Sequence, residues 1–135
     1  MSVHETVAVW TDREPTLDEE LRALGEEEGF DMANLDEALT GVPGVITVTT
    51  AMGRHGPRVK YMLRPGRHQP SFSVAIAATP RVVANSLEER DLRRMAPVVI
   101  AWVAANHEAL ARFWWDGSDW MAGEVQAFIA GLQKV

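Results

Sequence analysis

Arg58-Val59-Lys60-Tyr61-Met62-Leu63 and Ser71-Phe72-Ser73-Val74-Ala75-Ile76 decide the fold. In the first run, Val59, Tyr61 and Leu63 alternate with Arg58, Lys60 and Met62. In the second, Phe72, Val74 and Ile76 alternate with Ser71, Ser73 and Ala75. Successive side chains of a strand point to opposite faces, so a period of two with one polar set marks a half-buried antiparallel strand. Upstream, residues 45–50 are β-branched and alternate, and downstream Val82-Val83-Ala84 offers a short edge. The connections, 52–57 and 64–70, are rich in Gly and Pro, as turns are. The reading is a meander of three or four antiparallel strands.

Helical signals flank it. Thr16-Leu17-Asp18-Glu19 reads as a capping box opening a helix over 17–28, with Leu17, Leu21 and Leu24 on one face and Gly29 as its stop. A second short helix is expected over 32–39, ended by Thr40-Gly41-Val42-Pro43. Val7-Ala8-Val9-Trp10 fits either a short strand or an extended lead-in. After the meander, Ser86-Leu87-Glu88-Glu89 reads as another capping box. Leu92, Val99, Val103, Asn106, Leu110 and Phe113/Trp114 then recur at steps of three, four or seven, as one face of a long helix. Pro97 lacks an N–H and crowds the preceding turn, so a kink or break is expected there. Asp116-Gly117-Ser118 closes this helix and opens a last one, with Trp120, Val125, Phe128, Ile129 and Leu132 as its apolar side.

The expected class is therefore α+β. One domain spans residues 1–135: an acidic helical segment 1–43, a basic antiparallel sheet 44–85, and C-terminal helices 86–135, the long one covering the sheet's apolar face. The chain's 135 residues suffice for a hydrophobic core without staples. There is no cysteine, which removes disulfides and thiolate metal sites and fits a reducing compartment. No signal segment and no apolar run of membrane-spanning length is visible, so a cytoplasmic protein with no membrane contact is expected.

The net charge of −6 conceals an asymmetry. Residues 1–43 hold 12 acidic and 2 basic residues. Residues 44–85 hold no acidic residue and six basic ones: Arg54, Arg58, Lys60, Arg64, Arg67 and Arg81. Residues 86–135 hold 7 acidic and 5 basic residues. Such asymmetry marks either an interaction surface or two segments that neutralise each other.

Chemistry-bearing patterns are sparse. His55 and His68 fall in successive hairpin loops, at opposite ends of a strand and roughly 20 Å apart by strand rise. His107 and Glu108 diverge on a helix, and His4 stands alone. No metal and no cofactor is expected. Ser71 and Ser73 lack a nucleophile elbow, and Gly53-Arg54-His55-Gly56 leads into a strand, where a phosphate loop would lead into a helix. The basic face is the stronger lead: Arg54, Arg58, Lys60, Arg64 and Arg67 are candidates to grip phosphates or an acidic partner. His55, Arg58 and Lys60 are the weak candidates for a metal-independent ribonuclease, with His as acid or base and cations on the phosphate. Against both stands internal pairing with segment 1–43. Five tryptophans are present, and Phe113-Trp114-Trp115 cannot all face one partner element. Phe113, Trp115 and Trp120 are therefore candidates for a protein interface or a local aromatic core. Asn106, on the apolar stripe, is expected to tie the helix to the backbone of the sheet or a loop.

From Pro57 onward the chain resembles a family of small bacterial proteins known as domain of unknown function 4160. The resemblance rests on Arg58-Val59-Lys60, on 71–76 (Ser-Phe-Ser-Val-Ala-Ile), on 80–84 (Pro-Arg-Val-Val-Ala) and on 101–114, which ends Asn106-His107-Glu108-Ala109-Leu110-Ala111-Arg112-Phe113-Trp114. It covers residues 57–135. Where that family often carries Pro-His-x-His, this chain has Pro57-Arg58-Val59-Lys60, so no role of those histidines transfers. Segment 1–43 has no counterpart. The resemblance implies a setting among toxin–antitoxin components and hence a protein partner or self-association. The expected function is a non-enzymatic protein-interaction module; the alternative is a nucleic-acid-binding or ribonuclease-like protein using the basic sheet.

Overall fold

In the computed structural model of the chain the described residues are 31–135. The expected elements over 7–10 and 17–28 lie outside them. Five strands, β1 (Met32–Leu35), β2 (Val45–Thr49), β3 (Arg58–Met62), β4 (Ser71–Ala75) and β5 (Val82–Asn85), form one antiparallel sheet in sequential order. A one-turn helix α1 (Glu37–Thr40) separates β1 from β2. Helix α2 (Glu89–Asp116), a 3-10 turn (Gly117–Asp119) and helix α3 (Ala122–Ala130) follow the sheet. The class is α+β, as the alternation requires, with one strand more than the meander's upper bound.

The extra strand corrects the helix expected over 32–39. Met32 pairs with Thr49 and Leu35 with Ile46. Met-Ala-Asn-Leu is too short for its period to choose between helix and strand. The open edge of β2 chooses, because its backbone groups need partners. Ala33 and Leu35 turn inward, while the Asn34 side chain accepts a 2.6 Å bond from the Thr47 hydroxyl. Helix forms only after Asp36, whose carboxylate accepts the Leu39 N–H, and ends at Gly41, where φ is +80°.

Two cross-strand rows form the sheet's first face. Leu35, Ile46, Tyr61 and Phe72 lie side by side, as do Ala33, Val48, Val59, Val74 and Val82. Helix α2 lays Val99, Trp102, Val103, Leu110 and Phe113 against them in one buried cluster. Full burial of each Val, Leu or Phe in such a cluster contributes roughly 1.5–3 kcal/mol. Pro97 does not break α2, which is continuous for 28 residues. Both Pro97 and Arg93, whose carbonyl Pro97 deprives of a donor, are on the exposed side, where the unpaired carbonyl is open to solvent. The Ser86 capping box does not form. Helix α2 starts later, at Glu89, and the Ser86 hydroxyl instead accepts the Ser71 N–H (3.0 Å) and donates to the Ser71 carbonyl (3.1 Å), continuing the ladder past β5.

Candidate functional site

The sheet's second face carries the residues singled out for chemistry. Its central row runs Asn34, Thr47, Lys60, Ser73 and Ala84. A half-buried face would leave this row wet, yet Lys60 is only 7% exposed, Thr47 1% and Ser73 0%. Ser71, Val45 and Met62 beside them are also buried, and Val45 and Met62 lie outside the cluster sealed by α2. The solvent face expected for Arg58 and Lys60 is thus corrected: Lys60 is interior and Arg58 half-buried. Among the described residues the Ser71 and Ser73 hydroxyls have no hydrogen-bond partner, so no described group activates either as a nucleophile.

His55, Arg58 and Lys60 do converge. With Thr47, Thr49 and Ser73 they line a cavity of about 20 Å³ at the β2–β3 end of the sheet. One water needs about 10–15 Å³ by this measure, so the cavity has room for a water and none for a nucleotide. The His55 ring leans on buried Trp114, with centroids 5.7 Å apart, and its Nδ1 lies 3.1 Å from the Gly56 carbonyl. His55, Arg58, Lys60 and Arg67 each engage a bonding or electrostatic partner. Arg54, Arg64, Arg67 and His68 sit exposed in the two hairpin loops. The five cationic candidates therefore divide between a strand pair, Lys60 buried and Arg58 half-buried, and exposed loop residues, and do not make one open basic surface.

The aromatic candidates divide as well. Phe113 is 1% exposed; it stacks on Phe128 at 4.6 Å and meets Trp120 at 5.8 Å, and Trp120 meets Phe128 edge-on at 5.9 Å. These three rings fasten α3 to the end of α2. Trp115 points away, 64% exposed, and Met121 beyond the 3-10 turn is 73% exposed. Sequence reading passed over Met121, since a methionine beside a helix start carries no local signal of exposure. Asp116, Asp119 and Glu124 are the exposed carboxylates nearby in sequence.

Asn106 ties α2 to the backbone of the C-terminal tail. Its amide donates to the Trp102 and Gln133 carbonyls at 2.9 and 3.0 Å, and its oxygen accepts the Gln133 N–H at 2.7 Å. Every polar atom of this buried side chain is used in structure.

Among the described residues no group of His, Asp or Glu is arranged to hold a metal, and no helix is long and apolar enough to cross a membrane. No protein-family model matches the chain, and no curated protein or solved structure is significantly similar to it.

Proposed function

We propose that the protein is a non-enzymatic protein-interaction module whose contact surface is centred on Trp115 and Met121. The exposure of Trp115 carries the reading. Trp102 and Trp114 are buried and Trp120 is half-buried, so the fold has interior places for large rings and leaves this one outside. A tryptophan buries roughly 150–250 Å² when covered, and it is among the side chains that most often dominate interface energy. The exposed carboxylates at 116, 119 and 124 favour a partner with a basic rim. The water-sized cavity at His55, Arg58 and Lys60 speaks against catalysis there. The burial of Lys60 speaks against phosphate gripping by the sheet, because a phosphate reaches it only after the face is uncovered. The resemblance of residues 57–135 to the domain of unknown function 4160 is the ground for placing the partner among toxin–antitoxin components.

Photo-crosslinking in the native host tests the proposal. A photoreactive phenylalanine analogue at position 115 is expected to give a discrete adduct with another protein or a second copy. The same analogue at Glu108, exposed on the same helix, is expected to give none. Equal labelling from both positions, or none from 115, refutes the proposal.

A further inference from the structure

We propose that the second face of the sheet is the docking site for this chain's own acidic N-terminal stretch, residues 1–30, which lie outside the described residues. Four observations lead there. First, the face is covered: Lys60, Thr47, Ser71, Ser73, Val45 and Met62 are all buried, although α2 packs on the opposite face. Second, the hairpins supply no carboxylate to the cations of this face. Residues 44–85 contain no Asp or Glu, yet Arg58 and Lys60, the two cations on the face, each make a bonding or electrostatic interaction. A buried lysine without a counter-charge is too costly to persist charged.

Third, the N-terminal stretch has the matching composition. It carries nine acidic residues (Glu5, Asp12, Glu14, Asp18, Glu19, Glu20, Glu26, Glu27 and Glu28) against Arg13 and Arg22, a net of −7. The face is mixed, with Val45 and Met62 beside Lys60, so its occupant needs an apolar stripe as well as carboxylates. Leu17, Leu21 and Leu24 at helical spacing supply the stripe, and Asp18, Glu19 and Glu20 stand beside it. Fourth, size and tether agree. A helix over 17–28 is roughly 18 Å long, and five strands with four gaps span roughly 19 Å. The stretch ends beside the cations, because Asp31 exchanges backbone and hydroxyl bonds with Thr50 at the end of β2, both 2.9 Å.

The assignment makes the basic face an internally occupied anion site. Hydrogen exchange on the full chain, read by mass spectrometry, tests it. Amides of 17–28 are expected to exchange at least about tenfold more slowly than an unstructured peptide of that sequence. Arg58→Glu is expected to remove that protection while the amides of α2 keep theirs. Should the reversal prevent folding, Arg58→Gln and Lys60→Gln are expected to give the same loss in part. Wild-type chain is expected not to retain a short single-stranded RNA at low salt. Exchange of 17–28 at the peptide rate overturns the proposal. So does protection indifferent to these variants, or RNA binding by the intact chain that Arg58→Glu abolishes.

Discussion

Tyr61 is the side chain whose surroundings can be followed most closely, because it is the chain's single tyrosine. Its hydroxyl donates to the Pro43 carbonyl, its ring packs 5.0 Å from Phe72, and Gly44 at φ +106° lies against it. A β-carbon on Gly44 would stand 2.5 Å from that hydroxyl, so Gly44→Ala meets both a forbidden φ and a clash. It is expected to cost roughly 1–3 kcal/mol by urea titration. Burial raises the phenol above its usual value of 10.0, with Arg94 pulling the other way. The folded state then holds the proton after the unfolded chain has released it. The contribution is complete below about pH 10 and is lost as pH rises through the folded value. Wild-type stability is expected to fall from pH 9 to pH 11, and Tyr61→Phe to start about 1 kcal/mol lower with a flatter slope; absorbance at 295 nm follows the phenol directly. The sequence placed Tyr61 on the apolar side of β3, which period two makes legible. The Pro43 bond was not legible, since it joins positions 18 apart and depends on how tightly Gly44 lets the loop approach.

At the scale of elements, periodicity worked where runs were long and failed where they were short. The strands of the central meander and the face of α2 follow from spacing alone. β1 does not, because a four-residue run has no period of its own and takes the conformation its neighbour offers. Capping signals misled for a related reason: Ser86 had a competing ladder partner in Ser71, which local sequence does not reveal. Pro97 is the element-scale test. It sits inside α2 on the exposed side, so the carbonyl it leaves unpaired is open to solvent, but the turn still carries the ring's steric cost. Pro97→Ala is expected to raise the thermal midpoint, gaining roughly 1–3 kcal/mol, without altering the tryptophan emission of Trp102 in the core. An unchanged or lower midpoint would show that α2 has accommodated the ring fully. The ion pairs Arg93–Glu89 and Arg94–Asp91 lie on the surface of the same turns and are expected to add only tenths of a kcal/mol.

Over the whole molecule, stability is distributed unevenly, and that follows from which surfaces are closed. Period two identifies the residues that share a sheet face but not what covers it, so the burial of Lys60 was out of reach even though the charge asymmetry pointed toward it. The central residues of both sheet faces are buried, and the first face is sealed by the buried stripe of α2. α3 differs: none of its residues is fully buried, and it is held by the Phe113–Trp120–Phe128 rings and by the Asn106 bonds to Gln133. Few buried contacts mean a low opening energy, so α3 and the tail are expected to exchange their amides well before α2 and the central strands. Two variants separate the fastenings. Phe128→Ala removes a half-buried ring and is expected to cost α3 roughly 1–3 kcal/mol of opening energy, leaving exchange in α2 unchanged. Asn106→Ala leaves the Gln133 N–H and carbonyl without their buried partner and is expected to release the tail by a similar amount. Because Asn106 also bonds the Trp102 carbonyl inside α2, its removal reaches the core as well. If Phe128→Ala instead speeds exchange in α2 as much as in α3, the last helix is part of the cooperative core, and Trp115 stands on a rigid end of the molecule, with no movable strap beneath it.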